Sequence, residues 1–453
     1  MNGALQSSRA ELPLARTAKI TYSMIESVSP ARTVSGAISV PGDKSISHRF
    51  AMLTSIAEGE SRIRNYSTGA DCRSTLSCMA RLGIRHEVAE KEGRTELIVH
   101  GKGIHGLQPP NESLDAGNSG STIRMLSGIL AAQPFRTTLV GDESLSRRPM
   151  RRIMKPLAEM GARINATDEQ FPPLTIEGGP LHAITYESPI ASAQVKSCVL
   201  LAGLYAEGET TVREPVQTRD HTEIALRELG ADISVSRREV RVRGGASLEA
   251  KSLVVPGDIS SAAFFLVAAL AARESDLVIA NVGLNPTRTA LLDFLKSIGA
   301  SLKILNVEIA NGELIGNIQV KSSKIQGGLI EREMTAALID EIPVLAVLGA
   351  TSESGLVVKD AAELRVKETD RIQTVADNLK RMGAKVIVHQ DGLEIPGKQS
   401  LHAAELESYG DHRIAMAFAV AALSADGPCN IRDSEAASVS FPEFYDTLRE
   451  IAH

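Results

Sequence analysis

The chain stops a helix in the same way again and again. Leu82-Gly83-Ile84, Met160-Gly161-Ala162, Leu229-Gly230-Ala231, Ile298-Gly299-Ala300 and Met382-Gly383-Ala384 each end an Ala/Leu-rich, amphipathic stretch, and Ile451-Ala452 ends the chain as a weaker sixth copy. A glycine just past an amphipathic stretch is a helix stop, because it takes the left-handed backbone without steric cost. Successive copies lie 78, 69, 69, 84 and 69 residues apart. A second echo divides the set: Val40-Pro41-Gly42-Asp43 with Ser45 returns as Val255-Pro256-Gly257-Asp258 with Ser260. Three stops precede the second Pro-Gly-Asp and three follow it. A period near 70 is too long for a solenoid of single supersecondary units, which run at about 20–50 residues. It suits small βα subdomains around a pseudo-threefold axis, in two similar halves with a cleft between them.

The boundaries follow from the same echo. Val34–Val40 reads as a strand broken by Pro41-Gly42, after which Asp43 or Ser45 can cap a helix. The second Pro-Gly-Asp opens a helix over Ala262–Ala272. Both junctions are hinge candidates, giving one domain over 44–255 and another over 33–43 plus 256–453. Residues 1–32 read as a loose N-terminal extension without the apolar core of a signal peptide.

Composition narrows the partners. Aromatic residues make up 3% of the chain, Trp is absent and the formal net charge is −6, all of which argue against a nucleic-acid surface. No apolar run reaches membrane-spanning length. Cys72, Cys78, Cys198 and Cys429 form no CxxC pair and suit reduced thiols in a cytoplasmic protein. No HExxH, Cys/His cluster or GxSxG points to a metal or a serine nucleophile.

Chemistry concentrates at predicted helix starts, where free N–H groups and the helix dipole favour anions. Pro41-Gly-Asp-Lys-Ser-Ile-Ser-His-Arg49 puts Lys44, Ser45 and Arg49 in the first turns of one helix. Asp115-Ala-Gly-Asn-Ser-Gly-Ser-Thr-Ile-Arg124 offers a backbone nest around Gly117 and Gly120. Leu145-Ser-Arg-Arg-Pro-Met150 places Arg148 before a proline read as a helix start. Ala191-Ser-Ala-Gln-Val-Lys196 supplies Ser192 and Gln194, and Thr218-Arg-Asp-His221 supplies Arg219 and a histidine read as structural. In the second half, Asp340 precedes an apolar helix. Lys367 and Arg371 are expected one turn apart on a single helical face, with Glu368 between them. Tyr409-Gly-Asp-His-Arg-Ile-Ala-Met416 puts Arg413 at a helix start capped by Asp411. Each segment alone is a capped, solvated helix end. Together they assemble many cations and few carboxylates, as a polyanionic ligand set requires.

PGDKSISHR, GNSGSTIR, SRRPM, SAQVKS, RVKETDR and GDHRIAM, in this order from Pro41 to Phe444, resemble the 5-enolpyruvylshikimate-3-phosphate synthase family, in its class II form. The resemblance implies an α/β fold, a two-domain inside-out barrel with three βαβαββ repeats per domain. It implies transfer of the enolpyruvyl group of phosphoenolpyruvate to the 5-hydroxyl of shikimate 3-phosphate, with release of phosphate. This is a shikimate-pathway step towards chorismate and the aromatic amino acids. Carried over by position, Lys44, Ser45, Arg49, Ser192, Ala193, Gln194, Arg219, Asp340 and Lys367 would contact shikimate 3-phosphate. Lys44, Gly120, Arg148, Gln194, Arg371 and Arg413 would contact phosphoenolpyruvate. Asp340 would accept the hydroxyl proton and Glu368 would protonate the methylene carbon, with Lys44 assisting. No metal or organic cofactor is implied, no nucleic-acid or membrane partner, and the expectation is a cytoplasmic monomer.

Two features depart from the broader family. Many members carry a Lys shortly before a C-terminal Phe-Pro, where this chain reads Ala437-Ser-Val-Ser-Phe-Pro442. Some glyphosate-tolerant members have Ala where this chain has Gly120, and neighbouring residues also set that property. Two rival readings stand beside the main one. A UDP-N-acetylglucosamine enolpyruvyl transferase would share the fold but usually uses a loop cysteine, and residues 114–152 contain none. A non-catalytic anion-binding paralogue would lose the acid–base residues, which here are all present.

Overall fold

The computed structural model describes residues 24–91, 94–245 and 247–453. Its helices are α1 (Lys44–Ser55), α2 (Ala70–Arg81), α3 (Gly120–Leu130), α4 (Arg151–Glu159), α5 (Ala193–Gly203), α6 (His221–Glu228) and α7 (Ile259–Ala271). They continue as α8 (Ala290–Ser297), α9 (Glu333–Leu338), α10 (Ile342–Thr351), α11 (Arg371–Arg381), α12 (His412–Ala422) and α13 (Phe444–Ile451). Two kinds alternate. α3, α5, α7, α10 and α12 are buried on nearly every side, whereas α2, α4, α8, α11 and α13 carry one apolar stripe. A helix that is apolar all round belongs inside a protein, and a striped one covers its outside. Accordingly α3 packs against α1 and α5 in the first half, and α7, α10 and α12 pack against one another in the second. The sheets lie outside these inner helices, the inverse of an ordinary barrel.

The repeat is visible in every sheet. In the first, Glu58–Arg64 pairs antiparallel with Arg94–Lys102, which pairs antiparallel with Arg85–Lys91, while Ser252–Val254 adds a parallel edge. The same order, one parallel edge and then two antiparallel pairings, recurs in four further four-stranded sheets. The five glycine stops all take positive φ, between 81° at Gly383 and 104° at Gly161. At each one the next residue's N–H reaches back to the fifth carbonyl before it, as Ile84 does to Met79 and Ala231 to Leu226. The stop is therefore a Schellman cap with a buried apolar flank, which turns the helix it ends into the next strand.

The N-terminal region departs from expectation. Residues 1–23 lie outside the described part, but Ile25–Val28 is not loose: it pairs antiparallel with Cys429–Arg432. The cause is topological. In the sixth unit Glu405–Glu407 runs parallel to Cys429–Arg432, and among the described residues no strand that follows adds an antiparallel pairing. The N-terminal strand supplies the missing antiparallel partner.

Units one and four exchange their first strands. Thr33–Ser39 runs parallel to Glu274–Gly283 of the second half, and Ser252–Val254 joins the first half. The chain crosses between halves at the two Pro-Gly-Asp segments, which hold each other. Asp43 N–H donates to Pro256 O at 2.8 Å and Asp258 N–H to Pro41 O at 2.9 Å. Each aspartate caps its own helix, Asp43 accepting from Ile46 N–H and Asp258 from Ser260 N–H. Two apolar cores result. One is built from residues between Ile46 and Val255, the other from Val28–Val40 together with Ile259–Ile451.

Candidate active site

Where the two halves meet, Arg148 and Arg219 of the first come together with Asp340, Lys367, Glu368, Arg371 and Arg413 of the second. Asp340 follows α9 and precedes α10. Its Oδ2 accepts from Arg219 Nη2 of the first half at 2.8 Å. Its Oδ1 lies 3.5 Å from Lys367 Nζ and 3.8 Å from Arg371 Nη1, and its backbone carbonyl accepts from Arg413 Nη1 at 2.8 Å. Burial pushes the Asp340 carboxyl up, but Lys367, Arg413, Arg219 and Arg371 together outweigh it and hold it well below the carboxylate range.

Glu368 is the second node. Its Oε1 faces Arg148 Nη1 of the first half at 3.2 Å, and its Oε2 accepts from Arg371 Nη2 at 2.7 Å. Burial again raises the carboxyl, and Arg371 and Arg148 more than reverse that. Arg371 is itself buried, with Nε donating to Asp411 Oδ2 at 2.8 Å, so the α12 cap residue also anchors this cation. A cleft of about 650 Å³ opens beside Glu368, lined by Asn118, Ser144 and Arg148 from one half and Lys367, Glu368 and Tyr409 from the other.

The route to this arrangement differs from expectation in two places. Lys367 and Glu368 do not share a helical face with Arg371. A 3-10 turn over Ala362–Val366 ends at Lys367 in extended conformation, and α11 begins only at Arg371 after the Asp370 cap. The extended link, not helical spacing, brings Lys367 and Arg371 to one carboxylate. Likewise α4 starts at Arg151 rather than Pro149. Leu145–Arg147 is a 3-10 turn, and Arg148 leaves it extended, with Nη2 donating to Asn118 Oδ1 at 2.9 Å.

Lys44, the first residue of α1, pairs with Asp71 of α2 at 3.0 Å. Burial pulls its ammonium down, but Asp71 and Glu368 more than compensate and keep it protonated. Ser45 and Arg49 follow on α1. The Arg49 guanidinium turns inward, donating to Thr222 Oγ1 at 2.6 Å, Ser197 Oγ at 2.9 Å and Ser45 O at 2.8 Å. Arg49 thereby joins α1 to α5 and α6. Ser192 caps α5, accepting from Val195 N–H, with Ala193 and Gln194 in the first turn. Gly120 is the first residue of α3, where a Cβ would stand 2.9 Å from Arg124 Nη1 and 3.6 Å from Arg148 Nη1. His221 is a buried link between halves, Nδ1 to Glu313 Oε1 at 2.6 Å.

Within and just after residues 437–442, Phe441 and Phe444 pack on Phe265 of α7 with ring centroids 5.8 and 5.5 Å apart. Ser440 faces a small cavity shared with Lys44 and Arg413. Sequence reasoning passed over Asp71, Asp411 as an anchor of Arg371, and Arg124. Arg124 had a signal of its own, a single charge in the apolar run Ile123 to Leu130.

A family model described as EPSP synthase (3-phosphoshikimate 1-carboxyvinyltransferase) matches residues 28–448. The 3-phosphoshikimate 1-carboxyvinyltransferase of Solibacter usitatus is 64% identical over 95% of this chain and 100% of its own length. That of Koribacter versatilis is 53% identical over 94% and 98%. The structure of EPSP synthase from Acinetobacter baumannii superimposes with a TM-score of 0.84 at 44% identity, covering 95% of this chain and 98% of that one. A match that spans both halves, both crossings and all six units is a match to the whole architecture, and the chain belongs to the EPSP synthase (3-phosphoshikimate 1-carboxyvinyltransferase) family.

Proposed function

We propose that the chain joins phosphoenolpyruvate to the 5-hydroxyl of shikimate 3-phosphate as an enol ether and releases inorganic phosphate. The observation that supports this most is that two carboxylates, Asp340 and Glu368, each stand between cations drawn from both halves. Before substrates bind, the surrounding cations keep these carboxylates too acidic to trade protons. Anionic substrates entering the cleft would take over the cations as partners. Asp340 and Glu368 would then lose their compensating charge while staying buried, and both would rise towards proton exchange.

Asp340 then accepts the proton of the 5-hydroxyl as its oxygen bonds to C2 of phosphoenolpyruvate. Glu368 delivers a proton to C3, giving a tetrahedral ketal phosphate. One C3 proton then returns to Glu368 as phosphate leaves, which restores the double bond and the starting state of Glu368. Lys44, Arg148, Arg371 and Arg413 are assigned to the phosphate and carboxylate of phosphoenolpyruvate, with Gly120 and Gln194 beside them. Lys44, Ser45, Arg49, Ser192, Ala193, Gln194, Arg219 and Lys367 are assigned to shikimate 3-phosphate. Fixed cations in a water-poor cleft stabilise the charge that develops in both steps. Every group the transfer needs is a side chain or backbone group, so the reading draws on no metal or organic cofactor.

In this reading, 44–255 and 33–43 plus 256–453 move as two bodies about the paired crossings, supported by their separate cores. A cleft complete within one chain suits a monomer. Four free, buried cysteines and the lack, among the described residues, of any helix long and apolar enough to cross a membrane fit a cytoplasmic setting. The test is phosphate release with both substrates and none with either alone. Release that ignores shikimate 3-phosphate would refute the reading.

A further inference from the structure

Arg124 is a charge in the wrong company. It sits on α3 between Ile123 and Met125, both fully buried, is itself 8% exposed, and forms no ion pair with a carboxylate among the described residues. A buried guanidinium without a counter-ion is costly and calls for a compensating role. Its Nη1 donates to Gln194 Oε1 of α5 at 2.7 Å, and Gln194 Nε2 donates in turn to Ser121 Oγ at 3.0 Å. A guanidinium has donors only. It therefore dictates which end of the Gln194 amide faces it, and the second N–H of Nε2 is left to point away from both partners.

We propose that Arg124 is a positioning residue for the enolpyruvyl transfer, which fixes the Gln194 amide as a donor beside the first turn of α3. This rests on the assignment of Gln194 to both substrates. Gly120 belongs to the same device, because its missing Cβ leaves room for the Arg124 fork at 2.9 Å. Without Arg124 the amide can turn over, and a carbonyl oxygen would face the substrates' anionic groups.

A double-mutant cycle tests this. Arg124→Met and Gln194→Ala should each lower kcat/KM by roughly 10- to 100-fold, the range for a hydrogen bond to a charged group. Most of that should fall on KM for the two substrates. In the Gln194→Ala background, Arg124→Met should cost no more than about twofold, because the residue acts through the amide. Arg124→Lys, which keeps a donor towards Oε1, should recover most of the loss. Additive effects would mean that Arg124 acts on the substrates directly, and would overturn the proposal. Should Arg124→Met fail to fold, Ser121→Ala removes the other side of the clamp on the surface of α3. It must likewise be silent when Gln194 is already Ala, and additivity there overturns the proposal equally. A wild-type chain without transfer activity would instead refute the parent reading.

Discussion

At the scale of single residues, the candidate site is a problem of keeping carboxylates usable among cations. Glu368 is held ionised by Arg371 and Arg148, so its assigned role as proton donor depends on substrates drawing those cations away. Glu368→Gln should lower kcat by about 10²- to 10⁴-fold while leaving shikimate 3-phosphate affinity within a few-fold, as measured by steady-state kinetics and calorimetry. A variant that turned over near the wild-type rate would remove Glu368 from that role. Gly120→Ala puts a methyl 2.9 Å from Arg124 Nη1, so the cation must shift, and KM for phosphoenolpyruvate should rise by an order of magnitude or so. Buried histidines make a third residue-scale prediction. Burial pushes His48 and His412 down to about 3, whereas unfolded histidine titrates near 6.5. Between those values the unfolded chain binds protons that the folded one refuses. Their contribution is thus complete above about pH 6.5 and is lost as pH falls towards 3. For His48 alone the loss between pH 7 and pH 5 is about 2 kcal/mol, and in urea titrations His48→Asn should lose less stability over that interval by this amount. Motifs made Lys44, Arg148, Asp340, Glu368 and Arg413 legible in the sequence. Asp71 and Gln194's hold on Arg124 were not, because such pairings depend on the approach of helices 27 to 70 residues apart along the chain.

At the scale of elements, the repeat was the legible part and the joints were not. Glycine stops mark the ends of α2, α4, α6, α8 and α11 because only the left-handed conformation closes the cap, and all five adopt it. Gly230→Ala isolates that requirement. Its Cβ would meet nothing nearer than Glu249 Cγ at 4.0 Å, so the change adds backbone strain without a clash. It should cost about 1–2 kcal/mol in denaturant unfolding and leave KM for both substrates unchanged. A clash-free loss well beyond that range would show that the cap does more than end α6. The interval between the fourth and fifth stops is 84 residues, the longest of the five. It holds a long hairpin, Ser301–Ala310 with Glu313–Lys321, and the extra helix α9 that delivers Asp340. Lys367 was placed on a helix because i, i+4 spacing looks the same whether a helix or a turn realises it. The strand Ile25–Val28 escaped notice for another reason: its partner lies some 400 residues away, at the far end of the chain.

At the scale of the whole molecule, strand exchange between units one and four makes the two halves one machine. Their crossings hydrogen-bond to each other, and Arg148 and Arg219 of one half meet Glu368 and Asp340 of the other. The second half carries both carboxylates but only part of the cation set that the proposed transfer uses, and Arg148 and Arg219 reach them from the first. The twofold echo of Pro-Gly-Asp and the threefold run of stops could be read directly from the sequence. The direction in which sheets and helices nest came from the family resemblance, not from the spacing of the stops. Phosphorus-31 NMR follows the proposed transfer itself. With the chain, shikimate 3-phosphate and phosphoenolpyruvate together, the enol phosphate resonance should decay as inorganic phosphate and one new phosphate ester grow in equal amounts. Phosphate appearing without the new ester, or an unchanged spectrum at high enzyme concentration, would contradict it.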